Sequence, residues 1–128
     1  MFFLNLKLTD SLEDYLEAIY IIERNNQKVR ITDIACALGI SKPSVNKAVS
    51  LLKKSNLVIH EKYRNIALTE KGRKIAKDVY YMHSTLKEFL INELKIDLEI
   101  AEIEACKIEH VMSKDSLNRL IEYSKNKN

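Results

Sequence analysis

The sequence predicts a mainly α-helical protein with one small β-hairpin. Two Gly and one Pro in 128 residues leave few positions that interrupt a helix. Apolar residues recur every three or four positions over long stretches, which is typical of amphipathic helices. Near the middle of the chain, two short apolar runs flank a polar stretch, and this pattern favours a hairpin. The length allows one domain, or a small domain with a helical extension.

Charge is distributed unevenly along the chain. Residues 42–77 carry ten Lys or Arg against two Glu, a net charge of +8. Residues 93–110 carry six acids against two Lys, a net charge of −4. The basic segment indicates a polyanion as partner and the acidic segment a cation, although solvated helix surfaces would also explain the asymmetry.

The composition also indicates a compartment. Two cysteines are too few for a disulfide framework. No run approaches the ~18 apolar residues that a membrane span needs, and the apolar start lacks the basic region of a signal peptide. We therefore expect a cytoplasmic protein with no membrane partner.

The first helix is predicted over residues 10–25, where apolar residues from Leu12 to Ile22 recur at helical spacing. Asp14 and Glu17 lie about one turn apart, to the side of this apolar stripe. They are candidate metal ligands, and the alternative is that they are ordinary surface carboxylates.

Residues 29–56 carry a helix-turn-helix pattern. Ile31–Leu38 is a short predicted helix, followed by Gly39 where a tight turn favours a positive φ. Ser41 is a good N-cap and Pro43 is tolerated in a first turn, so the next helix is predicted from Lys42 to about Ser55. A plain helical hairpin with a polar face is the alternative.

A basic hairpin follows at once, with strands predicted in residues 57–61 and 66–69. A helix-turn-helix with a basic-tipped hairpin is a winged helix, whose second helix enters the major groove of DNA. Lys binds guanine or phosphate, Asn reads adenine, and Ser donates to either base or phosphate. The candidate DNA-binding residues are Ser41, Lys42, Pro43, Ser44, Asn46, Lys47, Lys62 and Arg64.

The remaining sequence predicts three more helices. A long one runs from Glu70 to about Glu93 and carries His83, which is either a ligand or an ordinary core histidine. Asp97 is the predicted cap of a helix from Leu98 to Met112, and Ser113 the cap of a short last helix before a frayed tail.

On the helix after Asp97, Cys106, Glu109 and His110 are spaced i, i+3, i+4 and share one face. Thiolate, carboxylate and imidazole are the common transition-metal ligands, so this face is a candidate metal site.

The order of these features resembles the diphtheria-toxin-repressor and manganese-transport-regulator family of iron- or manganese-dependent repressors. The resemblance covers roughly residues 11–123. It rests on Glu13–Tyr20 (EDYLEAIY), Ile34–Leu38 (IACAL), Leu68–Gly72 (LTEKG), His83 and Glu104–Ser113 (EACKIEHVMS).

The resemblance implies a ligand set. In the manganese branch the matching ligand positions are Asp14, Glu17, His83, Glu109 and His110, while Cys106 matches a ligand of the iron branch. A second iron-branch site is implied at His83 and at two positions that here are Lys87 and Glu102, of which only Glu102 is a possible ligand. We also expect the chain to lack the additional SH3-like domain usual in the iron branch.

The implied protein is a repressor of metal-homeostasis genes with Mn(II) or Fe(II) as corepressor. Zn(II), Co(II) or Cd(II) are expected to bind in vitro. Residues 1–72 would form the winged helix-turn-helix domain, and residues 73–128 the helical metal-binding and dimerisation domain. A homodimer would place two recognition helices on a palindromic double-stranded operator. The number of ions per subunit stays open.

Two other functions fit parts of the sequence. One is a winged-helix regulator that ignores metal and senses another ligand. The other is a metalloenzyme that uses a metal-bound water. A site with many ligands leaves few open coordination positions, so we expect no enzyme activity and no small organic substrate.

Overall fold

A computed structural model describes residues 10–25, 28–61 and 65–127 of the protein. The chain divides into two compact units, the first ending at Lys77 and the second beginning at Asp78. The functional division into residues 1–72 and 73–128 stays a prediction.

The first unit has the predicted helix-turn-helix and hairpin. Its elements are α1 (Asp10–Arg24), α2 (Ile31–Leu38), α3 (Lys42–Lys54), β1 (Val58–His60), β2 (Ile66–Leu68) and the start of α4 (Glu70–Asn92). The two strands are antiparallel, with Val58 opposite Leu68 and His60 opposite Ile66. Each predicted helix and strand of this unit is therefore confirmed to within about two residues at its ends.

One apolar core holds the helices of the first unit together. Leu16 and Ile19 of α1, Ile34 of α2, and Val45 and Leu52 of α3 have no exposed surface. Burying an aliphatic side chain of this size contributes roughly 1.5–3 kcal/mol, so the helical spacing of these residues is what assembles the three helices.

Two glycines are required for different reasons. Gly39 ends α2 with a φ of 66°, a left-handed conformation that side chains with a Cβ disfavour. Gly72 lies in the first turn of α4, where an added Cβ would stand 1.9 Å from the backbone oxygen of Leu57. The backbone approach at Gly72 therefore holds the start of α4 against the hairpin.

A carboxylate on α1 contacts both the hairpin and the start of α4. Glu23 of α1 is mostly buried, and its Oε1 lies 2.8 Å from the Arg73 guanidinium. Its Oε2 accepts a hydrogen bond from the backbone N–H of Leu68. This carboxylate thus links α1 to β2 and to α4.

The second unit contains the remainder of α4, α5 (Leu98–Val111) and α6 (Lys114–Lys127). Its core includes Leu86 and Leu90 of α4, Ala101 and Ala105 of α5, and Leu117 of α6. Ala101 and Ala105 are one turn apart and fully buried, so α5 presents a smooth surface on which neighbouring helices pack closely.

Two details of the second unit differ from the sequence prediction. Asp97 occupies the N-cap position of α5, but its side chain makes no capping hydrogen bond. The last helix is not short, because α6 continues through the predicted frayed tail to Lys127.

Two side-chain contacts lie along the last helix. Ile121 is buried, and Lys125 lies 5.6 Å from the centre of the Tyr81 ring. The predicted cap at Ser113 is confirmed, since its hydroxyl accepts the backbone N–H of Ser116 at 3.1 Å. In the part of the chain that the structure describes, no helix has the length and apolar character to cross a membrane.

Candidate metal centre and nucleic-acid interface

The start of α3 is held by a serine cap. The Ser41 hydroxyl accepts the backbone N–H of Ser44 at 3.3 Å and lies 2.9 Å from the Ser44 hydroxyl oxygen. A cap of this kind satisfies one of the N–H groups left open at a helix start. The remaining N–H groups and the positive end of the helix dipole favour an anion there.

The polar face of α3 is open to solvent. All six candidate DNA-binding residues at its start are exposed: Ser41, Lys42, Pro43, Ser44, Asn46 and Lys47. On the opposite face, Val45, Val49 and Leu52 are buried. The apolar face thus fixes α3 in the core while the face bearing two Lys and one Asn is available to a polyanion.

The hairpin carries the other two candidate DNA-binding residues, Lys62 and Arg64, and both lie outside the described residues. The strands that flank them are described. The Lys53 ammonium donates to the backbone oxygen of His60 at 2.9 Å, which joins the end of α3 to β1. The assignment of Lys62 and Arg64 therefore stays a prediction.

The predicted metal ligands are distributed over both units. Asp14 and Glu17 are half-buried residues of α1, in the first unit. The second unit holds His83 on α4 together with Cys106, Glu109 and His110 on α5. Cys106 and His110 are half-buried and one helical turn apart.

Within the second unit, His83 and Glu109 meet. His83 is 8% exposed, and the Glu109 side chain is 4% exposed. His83 Nδ1 lies 2.9 Å from Glu109 Oε1. The structure therefore brings together two of the predicted ligands that are 26 residues apart in sequence.

The other ring nitrogen of His83 faces a second carboxylate. His83 Nε2 contacts Glu102 Oε2, and the other Glu102 oxygen lies 3.1 Å from the Lys87 ammonium. Partial burial raises the pKa of Glu102, but the Lys87 hydrogen bond and the His83 contact outweigh it. The pKa of Glu102 therefore lies below its ordinary value, and the group is a carboxylate at neutral pH.

These donors suit a hard or borderline divalent cation. Two ligand atoms at adjacent positions of an octahedral ion lie about 3 Å apart when each is ~2.1 Å from the metal. The 2.9 Å between His83 Nδ1 and Glu109 Oε1 is an ordinary hydrogen-bond length and is also compatible with that separation. Both ring nitrogens donate at once only when the imidazole is protonated, so a cation at this place replaces a proton.

The sequence left Glu102 as a possible ligand and gave no structural role to Lys87. The signal for both is helical spacing. His83 and Lys87 are one turn apart on α4, while Glu102 and Glu109 are seven residues apart on α5. What the spacing does not reveal is that these two helix faces meet.

Family models match almost the whole chain in two parts. The N-terminal DNA-binding domain of iron-dependent repressors matches residues 7–66. The metal-binding and dimerisation domain of iron-dependent repressors matches residues 69–127.

Individual proteins agree with the family models. The chain is 40% identical over 114 residues to an uncharacterised HTH-type transcriptional regulator of Methanocaldococcus jannaschii, covering 88% of this chain and 91% of that protein. It is also 40% identical over 112 residues to the HTH-type transcriptional regulator MntR of Bacillus subtilis, covering 88% of this chain and 78% of MntR.

Among solved structures, the manganese regulator SloR superimposes with a TM-score of 0.79 at 29% sequence identity. The match covers 94% of this chain and 55% of SloR, so the chain spans about half the length of that structure. Two family models in sequence order, relatives at 40% identity and a shared fold lead to one conclusion: the chain belongs to the family of iron-dependent repressors.

Proposed function

We propose that this protein is a metal-activated transcriptional repressor that binds Mn(II) or Fe(II) as corepressor and controls metal-homeostasis genes. One observation supports this most strongly: His83 is buried against Glu109 with ligand atoms 2.9 Å apart, in a chain that also carries an exposed helix-turn-helix. A buried imidazole between carboxylates provides donors for a divalent cation, and the family match supplies the regulatory context.

The proposed ligands are His83 of α4 with Cys106, Glu109 and His110 of α5. Asp14 and Glu17 of α1 complete the proposed set on the strength of the sequence pattern. When bound, the cation would join carboxylate, imidazole and thiolate donors. The protein's own contribution is to bury the His83 ring and to hold Glu109 beside it.

The donor chemistry narrows the choice of ion. Carboxylates suit Mn(II) and Fe(II), whereas the Cys106 thiolate adds softness that favours Fe(II), Co(II) or Zn(II). The name of SloR as a manganese regulator supports Mn(II) for the proposed function. Co(II) and Zn(II) would also bind in vitro, because affinity follows the Irving–Williams order rather than the physiological role, and the Cys106 thiolate would also suit the soft ion Cd(II).

The proposed partner is a palindromic double-stranded DNA. The exposed face of α3 would enter the major groove, with Asn46 at base edges and Lys42 and Lys47 at guanine or phosphate. Ser44 is free to donate onward when the Ser41 hydroxyl donates to its oxygen. The proposed repressor acts in the cytoplasm.

Apolar residues exposed on the second unit support the homodimer. On and just before α5, the large apolar side chains that are at least 49% exposed are Leu94, Leu98, Ile100, Ile103 and Val111. Such exposure is costly in water and is relieved by a protein partner. A second copy of the chain would also match the two-fold symmetry of a palindrome.

The proposed coupling needs no contact between metal and DNA. A cation that binds the DNA-competent conformation better shifts the population toward it, and DNA strengthens cation binding by the same factor. A tenfold change in DNA affinity corresponds to about 1.4 kcal/mol of differential cation binding.

The test is an anaerobic titration of chelator-stripped protein with Mn(II) and Fe(II), because Cys106 and Fe(II) both oxidise in air. Metal stoichiometry and binding to the DNA upstream of the protein's own gene are followed together. We expect either ion to switch on DNA binding, and the more effective ion to be the corepressor.

A matched titration with chelator throughout is the control. Equal DNA binding with chelator and with metal would contradict the proposal and favour a regulator that ignores metal. Turnover of a generic ester or phosphate substrate by the metal-loaded protein would instead favour a metalloenzyme.

A further inference from the structure

The environment of His83 is asymmetric. Its Nδ1 faces Glu109, which is almost completely buried, whereas its Nε2 faces Glu102, whose side chain is 51% exposed. The two carboxylates belong to α5 and are separated by seven residues, about two helical turns. The ring on α4 therefore has an inner carboxylate and an outer one.

The outer carboxylate is fully engaged. Glu102 Oε2 contacts His83, and Glu102 Oε1 lies 3.1 Å from the ammonium of Lys87. Lys87 follows His83 by one turn of α4, so both donors to Glu102 come from the same helix face. The Lys87 ammonium and the Nε2 side of the His83 ring thus each contact one oxygen of the same carboxylate.

A histidine that binds a metal through one nitrogen commonly donates its other N–H to a carboxylate. That second bond fixes the tautomer and the orientation of the ring, and makes the imidazole a stronger ligand. The Glu102 side of His83 has this arrangement, while the Glu109 side has the proposed cation ligand.

We propose that Glu102, anchored by Lys87, is a positioning residue for the metal-binding His83 rather than a metal ligand. It keeps the proton on Nε2 and directs Nδ1 toward the cation. Lys87 keeps Glu102 out of the coordination shell by occupying its second oxygen. This inference rests on the proposed function, because it assigns His83 to the metal centre.

The first measurement is direct and uses the unmodified chain. The sequence contains three histidines, so long-range 1H–15N spectra of the 15N-histidine protein loaded with diamagnetic Zn(II) are simple to assign. We expect His83 to carry a proton on Nε2 and to show the metal-dependent shift on Nδ1. A Zn(II)-loaded protein in which Nδ1 carries the proton and Nε2 is the metal-bound nitrogen would overturn the inference.

The second measurement compares two identical substitutions on α5. Glu102→Gln removes the carboxylate that contacts His83, and Glu99→Gln makes the same charge change at an exposed residue three positions earlier. Mn(II) affinity is measured by competition with a chelator. We expect Glu102→Gln to weaken Mn(II) about 10- to 100-fold, the usual effect of losing such a partner, and Glu99→Gln to change it less than about threefold.

A double-mutant cycle tests the anchor. If Lys87 acts through Glu102, Lys87→Met changes Mn(II) affinity less than about threefold once Glu102→Gln is present. An effect of Lys87→Met that is the same in both backgrounds would remove Lys87 from the proposal. Far-UV circular dichroism of each metal-free variant checks that the helices are retained.

Failure of this inference is distinguishable from failure of the proposed function. An unmodified protein that binds neither Mn(II) nor Fe(II) would contradict the proposed function itself. An unmodified protein that binds Mn(II), together with equal affinities for the Glu102→Gln and Glu99→Gln variants, would overturn only the role of Glu102.

Discussion

The two units of this protein use apolar surface in opposite ways. Of the eight largest fully buried side chains among the described residues, seven lie in the first unit, and Leu86 lies in the second. Conversely, the second unit exposes Leu98 by 62% and Val111 by 81%, whereas the most exposed large aliphatic side chain described in the first unit, Ile59, is 52% exposed.

The units also differ in what they bury besides hydrocarbon. The core of the first unit is apolar, and its Glu23–Arg73 pair lies at the edge. The second unit buries His83 and the carboxylate of Glu109 together. Burying such groups costs free energy unless they are paired, and here each of the two is the partner of the other. The first unit therefore buries mainly apolar side chains, whereas the second unit pairs two ionisable groups in its interior and leaves large apolar side chains exposed.

The largest effect is expected from Gly72→Ala in the first unit. An added Cβ would stand 1.9 Å from the Leu57 oxygen, so either backbone must shift. We expect a loss of about 3 kcal/mol or more in the free energy of unfolding and loss of DNA binding with and without metal. Urea unfolding measures the first, and fluorescence anisotropy with operator DNA the second.

Gly39→Ala is the matched control for that substitution. The added Cβ would meet no atom within 4 Å. The substitution therefore lowers the free energy of unfolding only by the strain of an alanine in the left-handed conformation, roughly 1 kcal/mol. Equal losses for the two variants would mean that steric contact at Gly72 is not what holds α4.

The second-largest effect is expected from Glu109→Ala, which should impair the second unit and leave the first intact. Glu109→Ala removes the buried carboxylate beside His83, and we expect Mn(II) affinity to fall at least about 100-fold. Metal-dependent DNA binding should disappear, while the first unit keeps its unfolding transition. Glu104→Ala, at an exposed position of the same helix, is the control and should respond to metal normally.

A third substitution tests the exposed apolar surface. Leu98 is the first residue of α5, where the helix dipole stabilises a carboxylate. The helix should therefore persist in the Leu98→Glu variant. We expect the dimer to weaken about 10- to 100-fold, because a charge is costly in an apolar interface. Sedimentation velocity over a concentration series measures the effect.

The control is the same substitution in the other unit. Leu51→Glu replaces a leucine of α3 that is 43% exposed. It should leave the oligomeric state unchanged. A dimer that dissociates with Leu51→Glu and not with Leu98→Glu would reverse the assignment of the units.

The smallest effect concerns one phosphate or guanine contact. Lys47→Ala on the exposed face of α3 should weaken operator binding about fivefold to tenfold. If Lys47 binds phosphate, the slope of log affinity against log salt falls by about one and all sequences are affected alike. Lys114→Ala, on α6 of the second unit, should change neither quantity.

Local sequence determined most of the helices and strands. The apolar spacing in α1, the Gly39 turn, the Ser41 cap and the two strand segments all act through residues a few positions apart. Their structural positions follow the sequence prediction closely. The end of the last helix did not, because a polar tail has no apolar spacing from which a helix could be predicted; in the structure Lys125 of this tail lies over the Tyr81 ring.

The candidate site was predicted as a set of residue types on predicted helix faces. The i, i+3, i+4 spacing of Cys106, Glu109 and His110 placed them on one side of α5, and resemblance to a family named the other ligands. No local rule identified Lys87 as the partner of Glu102. Helical spacing says which residues share a face, but not which face of another helix it meets.

By itself, then, the sequence determined the helix-turn-helix, the hairpin and the side of α5 that bears the candidate ligands. Only the tertiary structure decided the pairings of His83 with Glu109 and Glu102, 26 and 19 residues away, and of Glu23 with the backbone of Leu68, 45 residues away. The physical reason is the distance in sequence between the groups that interact. Caps and turns satisfy backbone groups within four residues, whereas distant polar groups meet only after apolar burial has brought their helices together.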